Sequence, residues 1–241
     1  MIPSGYKEDK VYSVKPIDGS GDLDFTRASS ATRIGSTGLI EKTRTNLVLQ
    51  SNQFDTTWIS ANSVLTSGQT GYDGTNDAWL LSKTAASGNI YQSITTSGVK
   101  AFSIYAKANT NNWIRLRFDN TSTDQNVWIN ISDGTIGTNN GIATYTTDIG
   151  SGWYRLVFQS ASTDLVFFRI YSAEGDGDTS ATSGSIYIQD AQLEQGLVAT
   201  SYIETTTTAV SVGSYDNVPR LNYTAGSTSS CPSLLLEPQR T

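Results

Sequence analysis

Through the middle of the chain, apolar and polar side chains alternate with a period of two, and that period excludes most folds at the outset. "AFSIYAKA" places Phe102, Ile104, Ala106 and Ala108 on one face and Ser103, Tyr105 and Lys107 on the other. "WIRLRF" sends Ile114, Leu116 and Phe118 one way and Trp113, Arg115 and Arg117 the other. "NVWINI" does the same for Val127, Ile129 and Ile131 against Asn126, Trp128 and Asn130. "WYRLVFQ", "VFFRI" and "SIYIQ" bring together Tyr154, Leu156 and Phe158, then Val166, Phe168 and Ile170, then Ile186 and Ile188. Side chains of a strand point alternately to its two faces, so each segment reads as a strand with one buried face. Turn-rich stretches such as "DNTSTDQ" and "EGDGDTS" separate the segments, and no long helical repeat competes. The expected fold is all-β: an antiparallel β-sandwich of the jelly-roll kind, with extended, mostly irregular terminal segments.

Composition narrows the function. The 241 residues include no histidine, which removes the usual general base, metal ligand and pH switch together. A serine nucleophile would lack its base, and Cys231, between Ser230 and Pro232, reads as a structural thiol. No catalytic residue is expected, and the chain reads as a non-enzyme. A formal charge of −6 opposes nucleic-acid binding. No stretch approaches the roughly 20 apolar residues of a membrane helix, so no membrane insertion is expected. "MIPSGYKEDK" carries charges where a signal peptide has its apolar core, which points to assembly in the cytoplasm.

The hairpin from Trp113 to Ile131 is the richest stretch. Matching buried faces pairs Phe118 with Val127, Leu116 with Ile129 and Ile114 with Ile131. The outward pairs are then Arg117 with Trp128 and Arg115 with Asn130, with Trp113 at the strand's start. Indole faces stack on sugar rings, and Arg and Asn hydrogen-bond hydroxyls, so Trp113, Arg115, Arg117, Trp128 and Asn130 are candidates for a glycan site. The same residues suit a subunit interface or a plain surface cation–π pair.

Glu174, Asp176 and Asp178 place carboxylates at every second residue of a glycine-rich loop, a spacing that a calcium ion with its six to eight oxygens could use. Asp73, Asn76 and Asp77 form a second such loop. Solvated hairpin tips are the alternative for both, and no other cofactor is expected.

The termini differ from the middle. Residues 1–46 and 206–241 flank the 47–205 sandwich and hold strand-like pieces too short to make their own core. "LIEKTRT" at 39–45 and "LLLEPQRT" at 234–241 share an E-x-x-R-T phrase behind an apolar run. Arg27, Arg33, Leu39, Ile40, Leu234, Leu235 and Leu236 are therefore candidates for anchoring and assembly.

Two sets of residues carry a family resemblance. "PSGYKEDKVYSVKPIDGSGDLDFTRASSATRIGSTGLIE" with "NVPRLNYTAGSTSSCPSLLLEPQRT" resembles a linking phrase of virion structural proteins of tailed bacteriophages, here split around a whole domain. "NLVLQSNQFDTTW", "AFSIYAKA", "GWYRLVFQ" and "IQDAQLEQGLVATSYIET" resemble phage carbohydrate-binding-like modules with a galactose-binding-type jelly roll. The resemblance implies a virion protein, a module of a head or tail fibre anchored through its terminal segments to capsid or tail proteins. It implies a homo-oligomer, with a trimer expected, that could touch host surface polysaccharide. A host-glycan adhesin is the alternative reading. A glycan depolymerase is a third, and it requires two carboxylates about 5–10 Å apart in a cleft.

Overall fold

The computed structural model describes residues 44–96, 98–120, 123–160 and 167–212 with their side chains, and elsewhere only the backbone of short strands. The strands are β1 (Ser4–Lys7), β2 (Lys10–Ser13), β3 (Arg33–Ile34), β4 (Ile40–Glu41), β5 (Arg44–Asn46), β6 (Ile59–Ala61), β7 (Ser63–Gln69), β8 (Ala78–Lys83), β9 (Asn89–Thr96) and β10 (Lys100–Ala108). They continue with β11 (Trp113–Asn120), β12 (Gln125–Asn130), β13 (Ile136–Asn139), β14 (Ala143–Gly150), β15 (Trp153–Ser160), β16 (Leu165–Ala173), β17 (Ser185–Gln195), β18 (Val210–Val212), β19 (Arg220–Asn222) and β20 (Ser233–Leu235). The described residues contain no helix, and so none long and apolar enough to cross a membrane.

The chain divides into two compact units, one of residues 45–210 and one built from both chain ends, 1–44 and 211–241. The end-built unit contains the hairpins β1–β2, β3–β4 and β19–β20. Arg33, Ile40, Leu234 and Leu235 lie on these strands; Arg27, Leu39 and Leu236 lie outside the described residues.

The 45–210 unit is an antiparallel β-sandwich, as the alternation predicts. A first sheet runs β13–β12–β11–β16–β9–β6 and a second runs β14–β15–β10–β17–β8–β7. The chain crosses between sheets repeatedly, so neighbours in sequence face each other across the core. Phe102, Ile104 and Ala106 of β10 meet Ile114, Leu116 and Phe118 of β11 in a core where all are at most 1% exposed. Phe118 stacks on Phe158 at 4.9 Å, and Phe102 tilts against Phe168 at 4.2 Å. Each such side chain contributes about 1.5–3 kcal/mol through burial. "NLVLQSNQFDTTW" plugs one end of the sandwich: Val48, Phe54 and Trp58 are buried, and the indole N–H groups of Trp58 and Trp79 donate to the Gln50 and Asn52 carbonyls.

Two local features depart from simple alternation. The β11–β12 hairpin pairs Leu116 with Val127, Ile114 with Ile129, Arg115 with Trp128 and Trp113 with Asn130, two residues away from the register expected from sequence. A two-residue slip leaves every side chain on its own face, so hydrophobic patterning cannot detect it. The turn decides instead: the Asn120 N–H donates to Asp124 Oδ1 at 3.4 Å and its Nδ2 to the Thr123 carbonyl at 2.9 Å, which sets Phe118 opposite Gln125. The second feature is a bulge in β17. Tyr105 pairs with Gln189 but Ser103 with Gln192, and Asp190 takes up the extra residue at φ 55°. The core face of β17 therefore switches from Ile186 and Ile188 to Ala191 and Leu193.

Candidate functional site

Alternation on the first sheet gives its outer face a concentrated set of arginines and rings. β11 contributes Trp113, Arg115, Arg117 and Asp119, and β12 contributes Asn126, Trp128 and Asn130. β16 adds Phe167, Arg169 and Tyr171, and β9 adds Asn89 and Tyr91. Register places them in two rows across the strands: Trp128–Arg115–Tyr171–Asn89 and Asn126–Arg117–Arg169–Tyr91.

The first row is closed. The Arg115 guanidinium lies between the Trp128 ring at 4.8 Å and the Tyr171 ring at 4.7 Å, and its Nε and Nη2 donate to Asn126 Oδ1 at 2.9 and 2.7 Å. The Trp128 indole donates to the Asp178 carbonyl at 3.0 Å, so the 174–184 loop is tied down over this row. Trp128 and Arg115 are each only 7% exposed, which corrects the expectation that both lie open on the solvent face, Trp128 beside Arg117 and Arg115 beside Asn130. Burial lowers the Arg115 pKa, and the neighbouring Arg117 charge acts in the same direction.

The second row is open. Arg117 binds Asp119 and Asp124, and its side chain remains 27% exposed. Burial alone would lower its pKa, but Asp119, Tyr171 and Asp124 together outweigh that and hold it raised. Arg169 donates through Nε to Asp119 Oδ2 at 2.6 Å and through Nη1 to Asn89 Oδ1 at 3.2 Å. Its guanidinium covers the Tyr91 ring at 4.3 Å and approaches Phe167 at 5.2 Å, while Tyr91 and Phe167 meet edge-on at 5.5 Å. Beyond Tyr91 the row ends on Ile59, half exposed on β6.

The other sequence candidates are engaged in shaping loops. Asn130 accepts from the Ser132 N–H and hydroxyl and donates to Asp133. Trp113 lies against the backbone of Gly137, where a Cβ would sit 2.8 Å from the ring. Asp176 accepts from the Thr138 N–H at 2.7 Å and its hydroxyl at 3.1 Å. Asp178 accepts from the N–H groups of Ser180, Ala181 and Glu174 at 2.9–3.1 Å and lies 3.9 Å from the Lys83 ammonium. Those N–H donors lower its pKa against the opposing effect of burial. Glu174 borders an open polar recess of about 440 Å³ with Thr110, Asn111, Asn112, Ser183 and Gly184. Asp73 and Asp77 both accept from the Thr75 hydroxyl and from Gln189 Nε2, and Asn76 accepts from Thr70. Among the described residues, no three acids or cysteines are grouped as metal ligands.

Asp178→Ala is expected to cost about 1–2 kcal/mol by removing the acceptor shared by three loop N–H groups together with the carboxylate beside Lys83. A lower urea midpoint and a red shift of Trp128 emission, as the loop loosens over it, would register the change.

Sequence reasoning missed Tyr91, Phe167, Arg169 and Tyr171. The signal was present: once Phe168 and Ile170 of "VFFRIY" point inward, Phe167, Arg169 and Tyr171 must point outward together. It also missed Asp190, which the β17 bulge turns towards the Tyr72 hydroxyl at 2.8 Å, close to Tyr202. Burial, with Asp77 and Asp73 nearby, pushes its pKa up to about 7.

No protein-family model and no curated protein matches this sequence. Among solved structures, the chain is similar to the CBM22-1–GH10 modules of endo-1,4-β-D-xylanase 10B from Clostridium thermocellum, with 10% identity over 67% of this chain and a TM-score of 0.39. It is similar to the xylan-binding CBM22-1 domain of a Paenibacillus barcinonensis protein, with 12% identity over 70% of this chain and 100% of that one, at a TM-score of 0.34. It is also similar to the enzymatically active domain of tailspike protein 4 from bacteriophage CBA120, with 15% identity over 61% of this chain and a TM-score of 0.36. The chain spans 29% of the xylanase chain and 21% of the tailspike chain. Similarities this shallow assign neither a ligand nor an activity.

Proposed function

We propose that the sandwich is a non-catalytic carbohydrate-binding module and that its ligand lies across the outer face of the first sheet. The observation that carries this reading is the open row Asn126–Arg117–Arg169–Tyr91, where rings and guanidinium groups share one half-exposed strip. Rings supply apolar area for the faces of sugars, and a few fixed polar groups set orientation and specificity. Four inter-strand steps from β12 to β6 make the strip about 19 Å long, enough for an oligosaccharide rather than a single sugar. A glycoside hydrolase needs one carboxyl group free to donate a proton and a second free to act as base or nucleophile, whereas Asp119 is held by Arg117 and Arg169 and Asp124 by Arg117.

Affinity electrophoresis against a panel of soluble polysaccharides tests this reading. The unmodified protein is expected to be retarded by at least one of them, and Tyr91→Ala to bind it about tenfold more weakly, a loss of about 1.4 kcal/mol. Tyr91 is on the outer face, so its thermal unfolding should stay close to that of the parent. Migration unaffected by every polysaccharide would refute the proposal.

The wider setting we propose is that of a phage virion appendage, with the module carried by the end-built unit in a homo-oligomer. The phrases at 3–41 and 217–241 support it. So does edge strand β14, where Tyr145 and Ile149 are 56% and 40% exposed beside Ile142 at 48%, an apolar edge suited to a neighbouring subunit. Light scattering at two concentrations should return the mass of a trimer, and a monomer at both would end the oligomer reading.

A further inference from the structure

We infer that the carbohydrate recognised by the first sheet is anionic, bearing carboxylate or sulfate groups; the inference rests on the carbohydrate-binding reading above. Three guanidinium groups, Arg115, Arg117 and Arg169, occupy adjacent positions on this face, against two carboxylates, Asp119 and Asp124. These guanidinium groups outnumber the carboxylates bonded to them by one, on a chain whose net charge is −6.

The arrangement is poor as a purely structural device. Arg117 and Arg169 are direct cross-strand partners, and like charges placed opposite each other destabilise a sheet. Asp119 must bridge both, and Arg115 has no carboxylate partner of its own, only Asn126. Among the described residues, Arg169 Nη2 makes no hydrogen bond, so a donor of the open row remains for a ligand. Guanidinium groups bind carboxylate and sulfate oxygens through parallel, charge-assisted hydrogen bonds about twice as strong as neutral ones. Tyr91 and Phe167, beside Arg169, supply the apolar surface for the sugar ring that carries the anion. Of the acids in the 174–184 loop, which covers the Arg115 row, Asp178 pairs with Lys83 and Asp176 turns towards Thr138.

The test measures binding to polygalacturonate, dextran sulfate, neutral galactan and dextran, in about 0.01 M and about 1 M salt, where the screening length falls from about 30 to 3 Å. Binding to one or both polyanions at least tenfold tighter than to the neutral polymers, and weakened at high salt, is expected. Polygalacturonate alone would identify the anion as carboxylate, and dextran sulfate alone as sulfate. Arg169→Gln should remove the preference for polyanions over neutral polymers; Arg117→Gln serves the same purpose if the first variant fails to fold. Equal, salt-insensitive binding of neutral and anionic polymers would overturn the inference and leave the carbohydrate reading standing. An unchanged polyanion preference in folded Arg169→Gln and Arg117→Gln would also overturn it, and no binding to any polymer would defeat both readings.

Discussion

Asn46→Ala is expected to lower the stability of the sandwich by about 3 kcal/mol. Asn46 is fully buried, and its side chain satisfies four backbone groups at once. Nδ2 donates to the carbonyls of Ala191 at 3.2 Å and Ile203 at 2.8 Å. Oδ1 accepts from the N–H groups of Val48 and Leu193, each at 3.1 Å. An alanine leaves all four without this partner in a place water does not reach, and each stranded group costs about 1–3 kcal/mol. Local relaxation recovers part of the sum, which is why the expected value is well below it. Asn46→Asp keeps the acceptor but loses both donors, and it sets a charge against two carbonyl oxygens. Its deficit should be as large at neutral pH and shrink as the carboxyl protonates. Urea unfolding at constant slope decides: a loss below about 1 kcal/mol for alanine would mean that Asn46 does not hold the incoming segment to the sheet.

The second large effect is a dependence on pH traced to one side chain. Asp190 has its pKa pushed up from 3.8 to about 7, chiefly by burial and then by Asp77 and Asp73, against hydrogen bonds from Tyr72 and Tyr202 that favour the charged form. The folded protein therefore holds this proton more tightly than the unfolded chain. Between about pH 4 and pH 7 the native state binds more protons, so stability falls as pH rises through that window and levels off above it. A shift of this size corresponds to a few kcal/mol, on the order of 4. Asp190→Asn should remove the decline. Its amide can still accept from the Tyr72 hydroxyl, and it adds a donor for Tyr202 in place of a charge. The variant is expected to be more stable than the parent at pH 8 and nearly equal to it at pH 4. A parent whose unfolding midpoint is flat from pH 4 to pH 8, or a variant with the same slope, would contradict this account.

The sandwich was legible in the sequence because side-chain parity records which face is buried. Phe102, Ile104, Ile114, Leu116, Phe118, Val127, Ile129, Leu156, Phe158, Phe168, Ile170, Ile186 and Ile188 all lie in the core as alternation placed them. Parity does not record register, so Trp128 was matched with Arg117 although the Asn120–Asp124 turn brings it to Arg115. Nor does it survive a bulge: beyond Asp190 the inward positions change from even to odd numbers. Strands such as β7 and β14 carry exposed side chains on both faces and gave too little contrast to be seen. For the proposed site, sequence reasoning reached the outer face of the first sheet through β11 and β12 only. Its open half lies on β16 and β9, which become neighbours only through long-range pairing. That Trp128 is roofed by the 174–184 loop follows from a tertiary contact with no local pattern in the sequence.

The segments that enter and leave the sandwich are bonded directly to each other. Gln50 N–H donates to the Thr206 carbonyl, Ser51 and Thr205 exchange backbone and hydroxyl hydrogen bonds, and the Thr205 hydroxyl binds the Val48 carbonyl. Tension applied to the chain on either side of the sandwich thus passes from one strand of this clasp to the other without crossing either sheet. The rows of arginine and aromatic side chains on the first sheet lie outside this clasp, so a pull on the two segments would be borne by the clasp before it reached them.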